Sequence, residues 1–356
     1  MLIASLELNN FRNYNALSLD FDRMGAIITG DNGIGKTNLL EAIYYLAFGK
    51  SFRTIQDTEI IRFQQNYFRI YGCFINAGNN MTISAAADKN SKIFKVDAIP
   101  LERISELFKY FQTVYFSPAD LEIIVGNPGK RRLFLDQAIS QYDAEYLFNL
   151  RQFRQVLRQR NAMLKNDFDK AEKASWDEQY ALCVKKVTER RLSYLELFIP
   201  VFKKYYRQLL KTGEDVDLQY TFAHSQKSSN FSSSEFDQQL KKVEKQEIFM
   251  QRSLIGPHLD DLDFSINNRR ARSFASQGQA RCLTIIARIS QALLISKNNH
   301  AKPLLMFDDV LSELDNSRRK SILDLLRGDH QVVVATPDLA AYKDLELPVI
   351  DIGKFR

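Results

Sequence analysis

The chain has 356 residues, 45% of them apolar and 26% charged, with only 14 Gly and 8 Pro. This is globular usage, too rich in aliphatic residues for a disordered chain and too poor in Gly and Pro for a collagen-like one. Lys and Arg exceed Asp and Glu by 49 − 43 = 6, an excess that permits an anionic partner without requiring one. Cys73, Cys183 and Cys282 lie far apart with no C-x-x-C pair, against both a disulfide framework and a thiolate zinc site. No apolar run approaches the roughly 18 residues needed to span a bilayer. The alternating start is expected to be a strand and not a signal peptide. The expectation is a soluble, cytoplasmic protein with no membrane partner.

Taken in order, residues 2–8, 17–21 and 25–29 are predicted strands, and a helix is predicted from Asn38 onward, with Leu39, Leu40, Ile43 and Leu46 on one face. Period-two patterns at 68–75, 81–85 and 93–96, separated by turn signals, predict an antiparallel meander. Between Ala144 and Lys211 there is no Gly and a single Pro, Pro200. Leu147, Leu150, Leu157 and Leu164 follow a near-heptad stripe, continued by Trp176, Tyr180, Val184, Val187, Tyr194 and Phe198 beyond a polar break at 166–173. The prediction is a helical hairpin. Six serines between His224 and Phe236 mark a loop, and 235–252 reads as a further helix. The α/β pattern then resumes, with strands at 262–266, 303–307, 331–335 and 347–352 and helices at 277–296 and 316–326.

Gly30-Asp-Asn-Gly-Ile-Gly-Lys-Thr37 satisfies G-x-x-x-x-G-K-[ST] between a predicted strand and a predicted helix. Backbone N–H groups of such a loop curl around phosphate oxygens at the positive end of the helix. The expected nucleotide-binding residues are Gly30, Asp31, Asn32, Gly33, Ile34, Gly35, Lys36, Thr37 and Asn38. Lys36 reaches the β- and γ-phosphates, and the Thr37 hydroxyl ligates Mg²⁺. Leu304-Leu-Met-Phe-Asp308-Asp309 is an apolar strand ending in carboxylates. Asp308 is expected to hold the metal with Thr37, and Asp309 to orient or deprotonate the attacking water. Asp309 and Lys36 are therefore the expected catalytic pair, with ATP and Mg²⁺ as cofactors.

Ser276-Gln-Gly-Gln279 stands at the start of a predicted helix and resembles the S-G-G-Q signature of ABC-type ATPases, with Gln277 in place of the first Gly. The resemblance implies that Ser276, Gln277, Gly278 and Gln279 contact the γ-phosphate bound to a second subunit. Ser312-Glu-Leu-Asp315 after the acid pair is similar to the D-loop of that class, with Asp315 at its end.

Three further groups of residues narrow the resemblance. Asn9-Asn-Phe-Arg-Asn-Tyr14 and Gly49-Lys-Ser-Phe-Arg-Thr54 flank the phosphate loop; Phe116-Ser-Pro-Ala-Asp-Leu121 and Gly126-Asn-Pro-Gly-Lys-Arg-Arg-Leu-Phe-Leu-Asp136 lead into the helical region; Gly256-Pro-His-Leu-Asp-Asp261 precedes the signature. With these blocks the chain resembles, over essentially its full length, the RecF family of bacterial recombination-repair ATPases of the ABC/SMC type. Leu259 departs from the Arg usual there, and Thr336 stands where many ABC proteins carry a His; no motif defines a role for His258 or Arg53. The implied fold is α/β, an ABC-type P-loop ATPase head with an inserted helical arm. The two halves of the head are expected at 1–130 and 253–356 and the arm at 131–252.

The resemblance further implies a weak ATPase of DNA replication, recombinational repair and the SOS response. It implies an ATP-dependent homodimer on double-stranded or gapped DNA, and work with RecO and RecR in loading RecA. The residues support DNA binding less directly. Arg151, Arg154 and Arg158 share a helix face and Lys185, Lys186, Arg190 and Arg191 cluster, but each group also reads as a solvated face balanced by nearby acids. Phe153, Tyr194 and Phe198 fall at core spacing. A transporter ATPase subunit would need an orthodox signature, and an SMC- or Rad50-like tether an arm of hundreds of residues or a C-x-x-C hook. A phosphoryl transferase would need an acceptor pocket.

Overall fold

The computed structural model describes residues 2–76, 78–210, 213–223, 231–299, 302–311, 314, 316–326 and 330–355. Contacts divide the chain into two compact units, residues 1–120 with 291–356, and residues 121–290.

The first unit opens with β1 (Leu2–Phe11), β2 (Tyr14–Asp20), β3 (Gly25–Thr29) and α1 (Lys36–Phe48). The predicted meander follows as β4 (Tyr67–Asn76), β5 (Asn79–Asp88), β6 (Lys92–Val96) and β7 (Ile99–Pro100), then α2 (Leu107–Tyr110) and β8 (Thr113–Phe116). A six-stranded antiparallel sheet runs β2-β1-β4-β5-β6-β7. Ile3 and Leu6 of β1 are both buried although three residues apart, which strict alternation forbids; a register shift between Ile3 and Ser5 against β4 turns both inward.

The second unit contains α3 (Glu122–Val125), α4 (Pro128–Tyr142), α5 (Ala144–Met163), α6 (Lys170–Leu210), β9 (Val216–Thr221), α7 (Ser233–Met250), β10 (Asp261–Ile266), β11 (Arg269–Arg270) and α8 (Ala271–Phe274). It also takes the first turns of α9 (Gln277–Asn299). The predicted hairpin is α5 against α6, whose 41 residues span roughly 60 Å at 1.5 Å per residue. The region 131–252 is not wholly helical: Val216, Leu218 and Tyr220 alternate inward along β9, which pairs with β10. That pairing places residues 253–290 in the same compact unit as the hairpin. Of the predicted Ser-rich loop, 224–230 lie outside the described residues, and Ser232 caps α7 by accepting from the Glu235 amide.

Basic residues hold this unit together from inside. Arg191 is fully enclosed and binds Asp136 at 2.8 Å, the Pro257 carbonyl at 2.7 Å and the hydroxyls of Tyr146 and Tyr220. Arg160, also enclosed, pairs with Glu247 at 2.6 Å and Asp177 at 2.7 Å and donates to Ser253 Oγ. Removing one partner of such a set leaves a buried charge uncompensated, which costs about 3–5 kcal/mol. Half of the second basic cluster is thus structural: Arg191 is core, and Arg190 pairs with Asp143 and Glu145. Arg154 likewise reaches Asp136, at 3.1 Å. Phe153, Tyr194 and Phe198 pack in the core as their spacing predicts.

The chain returns to the first unit with β12 (Leu304–Asp308), α10 (Asn316–Leu326), β13 (Val332–Ala335) and β14 (Val349–Asp351). A five-stranded sheet, all parallel, runs β14-β3-β13-β12-β8. Its central strands are continuous apolar runs, Leu-Leu-Met-Phe and Val-Val-Val-Ala, as burial on both faces requires. One buried cluster joins the two sheets through α1, with Leu39, Leu40, Ile43 and Leu46 on that helix and Met306 and Val333 on the parallel strands. No described helix is long and apolar enough to cross a membrane.

His258 sits in the second unit against the ring of Phe153, its Nε2 3.4 Å from the Ser253 carbonyl. Burial, with Arg132, Arg191 and Arg160 nearby, pushes its pKa down to about 4. The native protein then binds fewer protons than the unfolded chain between pH 6.5 and about 4, so stability must fall as pH drops through that window. The slope attributable to this group is at most ~1.4 kcal/mol per pH unit. Denaturant unfolding from pH 7 to 4 is expected to show a shallower loss in His258→Gln than in the parent; identical slopes would contradict this assignment.

Candidate nucleotide site

The phosphate loop links β3 to α1 at the carboxyl edge of the parallel sheet, where open α/β sheets collect ligands. Gly35 is the N-cap of α1 at φ 124°, and a Cβ there would lie 2.8 Å from the Tyr14 hydroxyl and the Asn13 amide, so only glycine fits. Among the described residues no side chain caps α1. Its first amides are therefore left for an anion, in contrast to α5, where Asp143 accepts from the Glu145 and Tyr146 amides. Lys36 Nζ donates to the carbonyls of Gly30 at 2.7 Å and Asp31 at 2.9 Å, folded over the loop it serves.

Two flanking segments support this loop. Asn13 donates to the Ile34 carbonyl at 2.6 Å and Tyr14 to the Gly35 carbonyl at 3.1 Å. Asn38 donates to Asn13, and Arg53 donates to Asn38 at 2.7 Å. Both segments converge on Glu41 of α1, which is fully buried. Arg12 grips its two oxygens at 2.9 and 2.6 Å, and the Ser51 hydroxyl donates to it at 2.5 Å. Ser51 Oγ in turn accepts from the Arg53 and Thr54 amides.

Asp308 ends β12 beside the loop. Thr37 Oγ1 donates to its Oδ1 at 2.9 Å and the Tyr115 hydroxyl to its Oδ2 at 2.8 Å. Burial raises the Asp308 pKa above the usual carboxylate range, opposed by these hydrogen bonds. Burial likewise pushes the Tyr115 hydroxyl well above its ordinary value, so it stays a donor. Asp309 lies one residue further in the left-handed region, φ 53°, a conformation that costs of order 1–3 kcal/mol. Its amide donates to the Ala335 carbonyl and its Oδ1 accepts from Thr336 Oγ1 at 3.1 Å, so Thr336 after β13 bears on the second acid.

The structure thus brings together Gly30 to Asn38, Asp308 and Asp309. Among the described residues no three His, Cys, Asp or Glu side chains form a metal cluster. The Thr37–Asp308 pair suits Mg²⁺ all the same, because that ion takes one or two protein ligands and completes its shell with water and phosphate.

Ser276 to Gln279 belong to the second unit. They form a reciprocal cap at the start of α9, with Gln279 Oε1 accepting from the Ser276 amide at 2.8 Å and Ser276 Oγ from the Gln279 amide at 3.2 Å. Gln279 also donates to Glu214 at 2.6 Å. Ser276 and Gln277 are exposed, and a Cβ at Gly278 would meet only the Ser276 hydroxyl among the described residues, at 4.0 Å. Of the expected D-loop, Ser312, Glu313 and Asp315 lie outside the described residues. Asn13, Tyr14, Glu41 and Ser51 carry no pattern that foretells their contacts, and nothing marks Tyr115 within a four-residue strand.

A profile of the RecF/RecN/SMC N-terminal domain matches residues 2–347. The DNA replication and repair protein RecF of Clostridium acetobutylicum is 37% identical, covering 99% of both chains. That of Lachnoclostridium phytofermentans is 35% identical over 94% of this chain and 93% of its own. A solved structure of the recombination mediator protein RecF with ATP, from the RecFOR pathway, superposes with a TM-score of 0.88 at 31% identity, covering 95% of this chain and 92% of that one. The Smc head domain of Pyrococcus furiosus shares the fold, with a TM-score of 0.55 at 16% identity. Phosphate loop, acid pair, fold and relatives agree, and the chain belongs to the RecF family of DNA replication and repair proteins, ATPases of the ABC type.

Proposed function

We propose that the chain is an ATP-gated clamp on duplex DNA near single-strand gaps. Two heads close on two ATP molecules. Each site combines the phosphate loop, Asp308 and Asp309 of one subunit with Ser276 to Gln279 of the other and the D-loop Asp315 at the seam. The supporting observation is that Ser276 and Gln277 stay exposed at a helix N-terminus, with Ser276 held in place by its reciprocal cap with Gln279, in a chain whose phosphate loop is hydrogen-bonded to Asp308. The closed dimer serves recombinational repair and replication restart in the cytoplasm, supporting RecA loading with RecO and RecR. Residues 131–252 act as the arm, and the exposed Arg158 and Lys186 lie on its surface for phosphate contact.

Within the site, Lys36 exchanges the Gly30 and Asp31 carbonyls for the β- and γ-phosphates. Thr37 and Asp308 would hold Mg²⁺, which would neutralise charge on those phosphates. Asp309, steadied by Thr336, orients the attacking water and takes its proton. The short reach of an aspartate there makes hydrolysis slow, fitting a reset step better than a metabolic turnover.

Lys36→Met is expected to abolish ATP binding and ATP-driven dimerisation in sizing experiments. Ser276→Arg should bind ATP without dimerising. Mixing the two variants restores one intact composite site per heterodimer, so ATP turnover should partly recover; no recovery would contradict the shared site.

Steady-state turnover is expected to stay below the enzyme median of about 10 s⁻¹. Asp309→Asn should abolish turnover while retaining ATP-dependent dimers, and a variant that keeps hydrolysing would remove Asp309 from its role.

A further inference from the structure

Tyr115 occupies the parallel strand next to β12, and its ring is held on two sides. It stacks on Phe52 at 4.3 Å between centroids and meets Tyr44 edge-on at 5.9 Å. The side chain is buried, and its hydroxyl donates to Asp308 Oδ2 at 2.8 Å. Among the described residues, Asp308 Oδ1 accepts the Thr37 hydroxyl alone, at 2.9 Å. A carboxylate at a strand tip has a broad, two-fold torsion about its last bond. A donor fixed on one oxygen removes that freedom and aims the other oxygen.

We propose that Tyr115 is a positioning residue for the divalent cation: its ring, clamped by Phe52 and Tyr44, holds the Asp308 carboxylate so that Oδ1 and the Thr37 hydroxyl face the metal together. The inference rests on the assignment of Asp308 to Mg²⁺. The loop that carries Phe52 takes part in the same clamp. Ser51 of that loop is bonded to Glu41 and Arg53 to Asn38, so the phosphate-loop flank and the metal-holding acid share one support. Partners of this kind change metal affinity about 10–100-fold when removed.

The test is Mg²⁺ titration of a fluorescent ATP analogue bound at equilibrium, with binding in EDTA as the metal-free reference. Tyr115→Phe keeps the ring and removes one oxygen. Its half-saturating Mg²⁺ should rise about tenfold with metal-free binding unchanged. Phe52→Leu leaves the hydroxyl and loosens the ring, and should shift the midpoint in the same direction by less, which keeps the proposal testable if Tyr115→Phe does not fold. Asp308→Asn separates the two claims. If it leaves the Mg²⁺ response unmoved, the metal assignment fails. If it moves the response while Tyr115→Phe and Phe52→Leu do not, the positioning role is overturned. Equal weakening of metal-free and Mg²⁺-dependent binding in Tyr115→Phe also overturns it, because general packing would then account for the effect.

Discussion

The hydrogen bond from Thr37 to Asp308 joins residues 271 apart in sequence, and most of the first unit exists to make that distance short. It requires β3 and β12 in one parallel sheet with β13 between them, so the two ends of the chain must fold together around whatever separates them. The order β14-β3-β13-β12-β8 then does the chemical placement. Phosphate loop, acid pair and Thr336 all leave the carboxyl edges of adjacent strands, and α1 points its uncapped end at the same edge. A helix without a cap is less stable by about 1 kcal/mol than one with Ser or Asp there. That deficit is what leaves its amides available to an anion.

A buried carboxylate stabilises the rim of this edge. Glu41 is fully enclosed, a position that would be costly for an unpaired charge, and Arg12 and Ser51 satisfy both of its oxygens. The two segments that supply those partners also supply Asn13, Tyr14 and Arg53, which hold the loop and Asn38. The second unit repeats the device with Arg160 and Arg191, each surrounded by acids and hydroxyls. In both units the buried ions link segments distant in sequence, and they do so with directional bonds that apolar packing alone lacks.

Local chemistry was readable in advance wherever the function depends on contiguous residues. The loop Gly30 to Thr37, the apolar strand into Asp308 and the Ser276–Gln279 cap each carry their geometry in their own spacing. Contacts set by tertiary packing were not. Asp309 adopts a left-handed backbone, which no neighbouring residue foretells. Tyr115 reaches Asp308 across 193 positions, and Arg191 looks like part of a surface cluster until β9 and Pro257 enclose it. The strand β9 is not legible in the sequence, because its six alternating residues sit among long helices.

The central claim is that ATP closes a two-subunit clamp on DNA. Sedimentation of fluorescently labelled gapped duplex with the protein, with and without Mg·ATP, tests it most directly. A two-subunit complex on the DNA that forms only with Mg·ATP is the predicted result. ATP-dependent dimers that leave the DNA sedimenting as free duplex would contradict it.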